Sequence, residues 1–185
     1  MSKGSPCSTH MRKHNFAFID IETTGLDVAK HEIIEIGCVL TTPSLQLLEE
    51  LELKIKPESI ENADQVALKI NHYDSENWKQ ALTLREAMEI LAEKTKDAIM
   101  VGQNVSFDFN FLEHAFSKLG VKNNMHYHKL DTISIAWAKL HNDVDFEHFS
   151  LHEMCLRFSI VNKNPHTALS DARATFELYK KLMSL

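Results

Sequence analysis

Asp20 and Glu22 stand one residue apart at the end of an apolar run, Phe16-Ala17-Phe18-Ile19-Asp20-Ile21-Glu22-Thr23-Thr24-Gly25. In an extended strand alternate side chains leave on the same face, so the two carboxylates point the same way. At roughly 4 Å and an effective dielectric of 20, such a pair repels by on the order of 4 kcal/mol, which invites a cation between them. A D-x-E at a strand end is by itself more often a solvated terminus, so its meaning depends on partners elsewhere. Three are available. Asp108 opens a helix after the turn Gly102-Gln103-Asn104-Val105-Ser106-Phe107, Asp171 lies early in the last helix, and His166 precedes it by five residues, after Asn164-Pro165. Each has a plain explanation alone: the helix dipole favours acids in a first turn, and a loop histidine is usually just solvated.

The elements that must bring these residues together are legible from periodicity. Phe16 to Ile19 reads as a strand buried on both faces, ended by Thr23-Thr24-Gly25, where Gly25 permits a turn or a close approach. Ile33 to Leu40 is a second, β-branched strand, and Glu49 to Lys56 a third, half-exposed one that Pro57 ends. The short join at Thr42-Pro43-Ser44 predicts an antiparallel hairpin between them. Leu84, Ala87, Met88, Leu91 and Thr95 recur at helical spacing. Ala98 to Val101 predicts a short strand closed by Gly102, and Phe109 to Leu119 a helix stopped by Gly120. A short strand at 127–130 precedes a helix from about Asp131 to Leu140. A further helix over Ser150 to Phe158 has Ser150 as its cap and Glu153 three residues on. The last helix turns Leu169, Ala172, Phe176, Tyr179, Leu182 and Met183 inward. The sum is one α/β domain with a mixed sheet.

Bulk properties narrow the field. A chain of 185 residues with 44% hydrophobic and 25% charged residues suits a single domain that buries about 70% of its unfolded surface. No apolar stretch approaches the ~18 residues of a membrane span, and the N-terminus has no hydrophobic signal core. Cys7, Cys38 and Cys155 form no C-x-x-C and fit a reducing, cytoplasmic setting rather than a disulfide framework. A net charge of −6 argues against nucleic-acid binding through a broad basic surface. Lys3, Arg12 and Lys13 nevertheless give residues 1–14 a charge of +3, leaving −9 on the remainder. The reading is a flexible basic arm over 1–14 and one domain over 15–185.

In order, Asp20-x-Glu22, Asp108 and His166-x4-Asp171 resemble the DEDDh family of 3′→5′ exonucleases, which includes the proofreading subunit of bacterial DNA polymerase III and RNA-trimming RNases of similar fold. The resemblance runs from about Phe16 to Leu182. It rests on three segments: Phe18 to Gly25; Asn104-Val105-Ser106-Phe107-Asp108-Phe109-Asn110-Phe111-Leu112; and His166-Thr167-Ala168-Leu169-Ser170-Asp171-Ala172. Each is weak alone; all three in order are specific. Gln103 departs from the family, where many members carry His, and Thr167 replaces a frequently basic residue. Neither is a metal-ligand position, so what they bear on is substrate preference.

The resemblance implies a ribonuclease-H-like, mixed five-stranded sheet with its second strand antiparallel. It implies two Mg²⁺ or Mn²⁺ ions, with Asp20, Glu22 and Asp171 on the first, Asp20 bridging to the second and Asp108 contributing largely through water. His166 would be the general base; an imidazole suits that role because it titrates near neutrality. Thr23 and Gly25 would approach the 3′-terminal nucleotide, Leu26 would wedge against terminal bases, Phe111 would offer a stacking ring, and Asn104 would support the site by hydrogen bonding. For Leu26 and Phe111, ordinary core packing is an equal alternative. The expected activity is release of nucleoside 5′-monophosphates from single-stranded 3′ ends, with DNA favoured over RNA. The alternatives are a non-catalytic nucleic-acid-binding or polymerase-associated module of the same fold, and a protein that binds metal only structurally. Polymerase association and homo-oligomerisation stay open.

Overall fold

Five strands form one sheet in the computed structural model, which describes residues 13–143 and 148–185. They are β1 (Phe16–Thr23), β2 (Ile33–Thr41), β3 (Leu47–Lys54), β4 (Ile99–Gly102) and β5 (Lys129–Asp131). Their order across the sheet is β3-β2-β1-β4-β5. β2 runs antiparallel to both β1 and β3, whereas β4 pairs parallel with β1 and with β5. This is the mixed topology predicted from sequence. The crossovers are helical, as parallel pairing demands. The helices are α1 (Gln65–Ile70), α2 (Leu84–Lys94), α3 (Val105–Leu119), α4 (Thr132–Leu140), α5 (Leu151–Phe158) and α6 (Ala168–Met183).

β1 is central, and its two faces meet different layers. Ala17, Ile19 and Ile21 pack with Met88 and Leu91 of α2 and with Leu112 and Phe116 of α3. Phe18 turns the other way, joining Val39, Val101 and the α6 residues Leu169, Ala172, Phe176 and Tyr179. Alternation continues along that second face, so Phe18 is followed by Asp20 and then Glu22. An apolar stripe thus becomes an acidic one at the C-terminal end of the strand, beneath the start of α6. α4 and α5 complete that layer through Ala136, Met154, Leu178 and Leu182.

Several boundaries differ from the sequence reading. α3 begins at Val105, four residues before the predicted start, because the N–H of Val105 is capped from a distance by Asp131 Oδ2 at 2.8 Å. Met183, predicted to face inward, is 44% exposed because α6 runs past the sheet it covers. α1 was not predicted; it is six residues long and buries none of them, so it lacks an apolar stripe. The predicted arm falls mostly on residues 1–12, outside the described residues. His14 already packs on the domain: its imidazole Nδ1 meets the Asp97 carbonyl at 2.8 Å and its ring centroid lies 4.3 Å from that of His126.

Candidate active site

Three elements deliver the predicted acids to one place. β1 supplies Asp20 and Glu22. Asp108 sits in the first turn of α3, 4% exposed, and accepts a hydrogen bond through Oδ1 from the main-chain N–H of Ile21 at 3.0 Å. That bond fixes the Asp108 carboxylate to the strand between the other two acids. Asp171 lies in the first turn of α6, where the helix dipole offsets part of the repulsion it meets. Its Oδ1 accepts from Asn162 Nδ2, and its Oδ2 accepts from the main-chain N–H of His166 at 3.1 Å. His166 is exposed and takes the left-handed backbone conformation, with φ 64°, at the turn that leads into α6. Ligand atoms of Glu22, His166 and Asp171 all lie within 4.8 Å of one another.

Proton affinities record how tightly the acids are gathered. Burial first, and then the charges of Asp108, Asp171, Glu22 and Glu35, push Asp20 well above the usual carboxylate range. Glu22 is pushed up to about 8 by burial and by Asp171, Glu35 and Asp108. Asp108 also rises to about 8, burial outweighing the main-chain hydrogen bonds that favour its ionised form. Burial raises Asp171 as well, against the opposing contacts of Asn162 and His166. Carboxylates with so little compensating positive charge form a ready site for a hard cation.

A glycine on β2 makes the convergence possible. Gly37 lies opposite Asp20 in the ladder, and a Cβ built there would come within 2.1 Å of the Ala168 carbonyl carbon. Only a residue with no side chain lets α6 settle on the sheet at this height. Gly25 serves a similar purpose beyond β1, since an added Cβ would meet the His31 ring at 2.5 Å.

The remaining predicted residues divide. Thr23 is buried and donates its hydroxyl to the Gly25 carbonyl at 2.7 Å, which shapes the loop after the acidic pair. Leu26, at the next position, is 81% exposed and free to meet a ligand. Asn104 is exposed in the left-handed conformation, and its side chain does not cap α3. Phe111 takes the core-packing alternative: it is 4% exposed, belongs to the core between sheet and helices, and lies tilted against Phe107 with ring centroids 5.0 Å apart.

Sequence reasoning also missed residues that build the site. The Asp131 carboxylate caps two helices at once, accepting from Val105 in α3 and from Ile133 and Ser134 in α4. Asn162 reaches Asp171 with its amide while accepting from Ser170 Oγ at 2.7 Å. Asn71 donates to the Thr23 carbonyl at 2.9 Å, and the Asp64 N–H donates to that of Thr24 at 2.8 Å, so α1 is tied to the loop at both ends. Its Val66 and Ile70 remain 65% and 47% exposed. One signal was present: Glu35 interrupts an otherwise apolar strand, and a lone acid is rarely buried without reason.

This is a ribonuclease-H-like fold with a carboxylate cluster at the end of its central strand. A family model described as Exonuclease (RNase_T) matches residues 17–179, and the chain belongs to that family. Among curated relatives, the PolC-type DNA polymerase III of Caldanaerobacter subterraneus subsp. tengcongensis is 29% identical over 170 residues, 91% of this chain and 11% of the relative. That of Mycoplasmopsis pulmonis is 30% identical over 147 residues, 79% of this chain and 10% of the relative. The chain therefore spans about a tenth of the length of these relatives. A solved structure of exonuclease I superposes with a TM-score of 0.80 at 17% identity, over 92% of this chain and 41% of that chain. E. coli exonuclease I in complex with a dA16 oligonucleotide gives 0.78 at 18% identity, over 92% and 41%. At those identities the likeness is one of fold.

Proposed function

We propose that this chain is a divalent-metal-dependent 3′→5′ exonuclease domain that shortens single-stranded DNA from its 3′ end and releases nucleoside 5′-monophosphates. The observation that carries the reading is the convergence of Asp20, Glu22, Asp108, Asp171 and His166, drawn from three distant parts of the chain. The four carboxylates among them are oxygen ligands of the kind that suit Mg²⁺ or Mn²⁺. Asp20, Glu22 and Asp171 would hold one ion, and Asp20 a second, with Asp108 contributing largely through water. When bound, a pair of such ions supplies charge neutralisation at the scissile phosphate and lowers the pKa of the attacking water.

The chain's own groups account for the rest. His166 stands exposed beside Asp171, where its ring can take a proton from water, while its main-chain N–H steadies the Asp171 carboxylate. The Thr23–Gly25 turn brings backbone close to the acids, and exposed Leu26 offers an apolar surface for a terminal base. DNA is favoured because the relatives are DNA polymerases and one structural neighbour holds a deoxyoligonucleotide. The same relatives support association with a polymerase.

The test is parallel incubation of single-stranded DNA, duplex DNA with a 3′ overhang and short RNA, each with Mg²⁺ or Mn²⁺. Progressive shortening from the 3′ end of the DNA substrates, lost in Asp20→Ala and greatly slowed in His166→Ala, is expected. Equal products from wild type and both variants would end the proposal, and preferential loss of RNA would reassign the substrate.

A further inference from the structure

The acid at position 35 is not among the groups assigned to the chemistry, yet it belongs to the same face of the sheet. Glu35 lies directly opposite Glu22 in the β1–β2 ladder, one pair beyond Ile21–Ile36. Side chains in such a pair stand about 4.5–5.5 Å apart at Cβ. It is 2% exposed, and its Oε1 is buried with no hydrogen-bond partner. Lys54 is its ladder partner on β3, but that ammonium lies 4.3 Å from the Trp78 ring centroid, and no ion pair to Glu35 occurs among the described residues. The Lys54 charge, and after it the main-chain N–H of Ala168, the first residue of α6, favour the ionised carboxylate, against burial and the charges of Glu52 and Asp171. Nor does Thr167, the residue before it, cap that helix with its side chain.

A buried carboxylate with no cation in direct contact is costly, and an unmatched buried oxygen calls for an explanation. Stability does not supply one, since an apolar residue would fill a strand otherwise made of Ile33, Ile34 and Ile36. The position does. Glu35 reaches the N-terminus of the helix that carries Asp171 and follows His166, while its own strand is bonded to the one carrying Asp20 and Glu22. Gly37, two residues along on the same face, is where α6 touches the sheet.

Building on the metal site proposed above, we propose that Glu35 is a positioning residue: buried opposite Glu22 and beneath the start of α6, it sets that helix, and so Asp171 and His166, at the distance from Glu22 that a divalent ion requires. Partners behind metal ligands of this kind typically affect affinity 10–100-fold, a scale of about 10-fold or more that calorimetry reads directly.

The test compares Mn²⁺ affinity by calorimetry, without substrate, and kcat and KM on single-stranded DNA, for wild type, Glu35→Ala, Glu35→Gln and Glu35→Asp. Glu35→Ala is expected to weaken Mn²⁺ binding by about 10-fold or more and to lower kcat with little change in KM. Glu35→Gln keeps an acceptor of the same reach and is expected to stay within about threefold of wild type, whereas the shorter Asp should resemble Ala. Should Glu35→Ala not fold, the Gln and Asp variants carry the comparison. Unchanged Mn²⁺ affinity in Ala or Asp, with only a lower Tm, would overturn the proposal, as would equal loss in Gln and Ala. If wild type itself lacks nuclease activity but the variants differ in Mn²⁺ affinity as expected, it is the enzymatic reading that fails and not this one.

Discussion

Glu22 and Asp108 are each poised near pH 8 without metal, and this makes a sharp statement about pH. An acid whose folded pKa is raised lends stability that is complete below its unfolded value and is lost as pH climbs through the folded value. In EDTA, Tm is therefore expected to fall between about pH 4.5 and pH 8, by roughly 2–4 °C for each kcal/mol lost in a chain of this size. Saturating Mn²⁺ should flatten the slope; a metal-free Tm that rises over that window would contradict it. At His166 the expectation is kinetic: His166→Ala should lower kcat about 10²- to 10⁴-fold and leave the circular dichroism spectrum unchanged. These five side chains were legible in sequence because their spacing matches a pattern with chemical content. Phe111 was not, because an aromatic residue on a helix reads the same whether its face meets the core or solvent. Glu35 and Asp131 were passed over for a different reason. Their importance lies in which backbone N–H they reach, and that is a tertiary fact.

Two elements hang on single residues. Asp131 ends β5 and caps both α3 and α4, so Asp131→Ala removes acceptors from two helix starts at once. A cost of about 0.5–2 kcal/mol per cap is expected by urea denaturation. Because α3 carries Asp108, nuclease activity should fall even well below the melting temperature. Gly37→Ala forces a methyl against the Ala168 carbonyl and should cost about 1–3 kcal/mol while lifting α6 from the sheet. Retention of full stability and Mn²⁺ affinity in that variant would argue against the close approach described above. The strands and the long helices were readable because each pairs a clear hydrophobic period with a terminating residue. α1 was not, since a helix of one and a half turns with no buried side chain has no period to find. α3 began early because its cap, Asp131, lies 26 residues away from the N–H it satisfies.

For the whole molecule, charge governs how a polyanion is received. A net charge of −6 leaves little cationic surface to displace counterions from DNA. Affinity for a single-stranded oligonucleotide, measured in Mn²⁺ with the Asp20→Asn variant to prevent turnover, should fall only shallowly with NaCl, with a slope corresponding to about one or two phosphate contacts. A steep slope would point to a basic track on this surface. The sheet topology was visible in the sequence as a whole, whereas the way α6 settles on Gly37 is a tertiary fact.

The tethering of α1 has one more consequence. Held by Thr23 and Thr24 yet burying nothing, residues 65–70 form a segment that opens without disturbing the sheet, at small free-energy cost. Amide exchange there should run orders of magnitude faster than in β1 of the free protein, and slow once an oligonucleotide end is clasped against it.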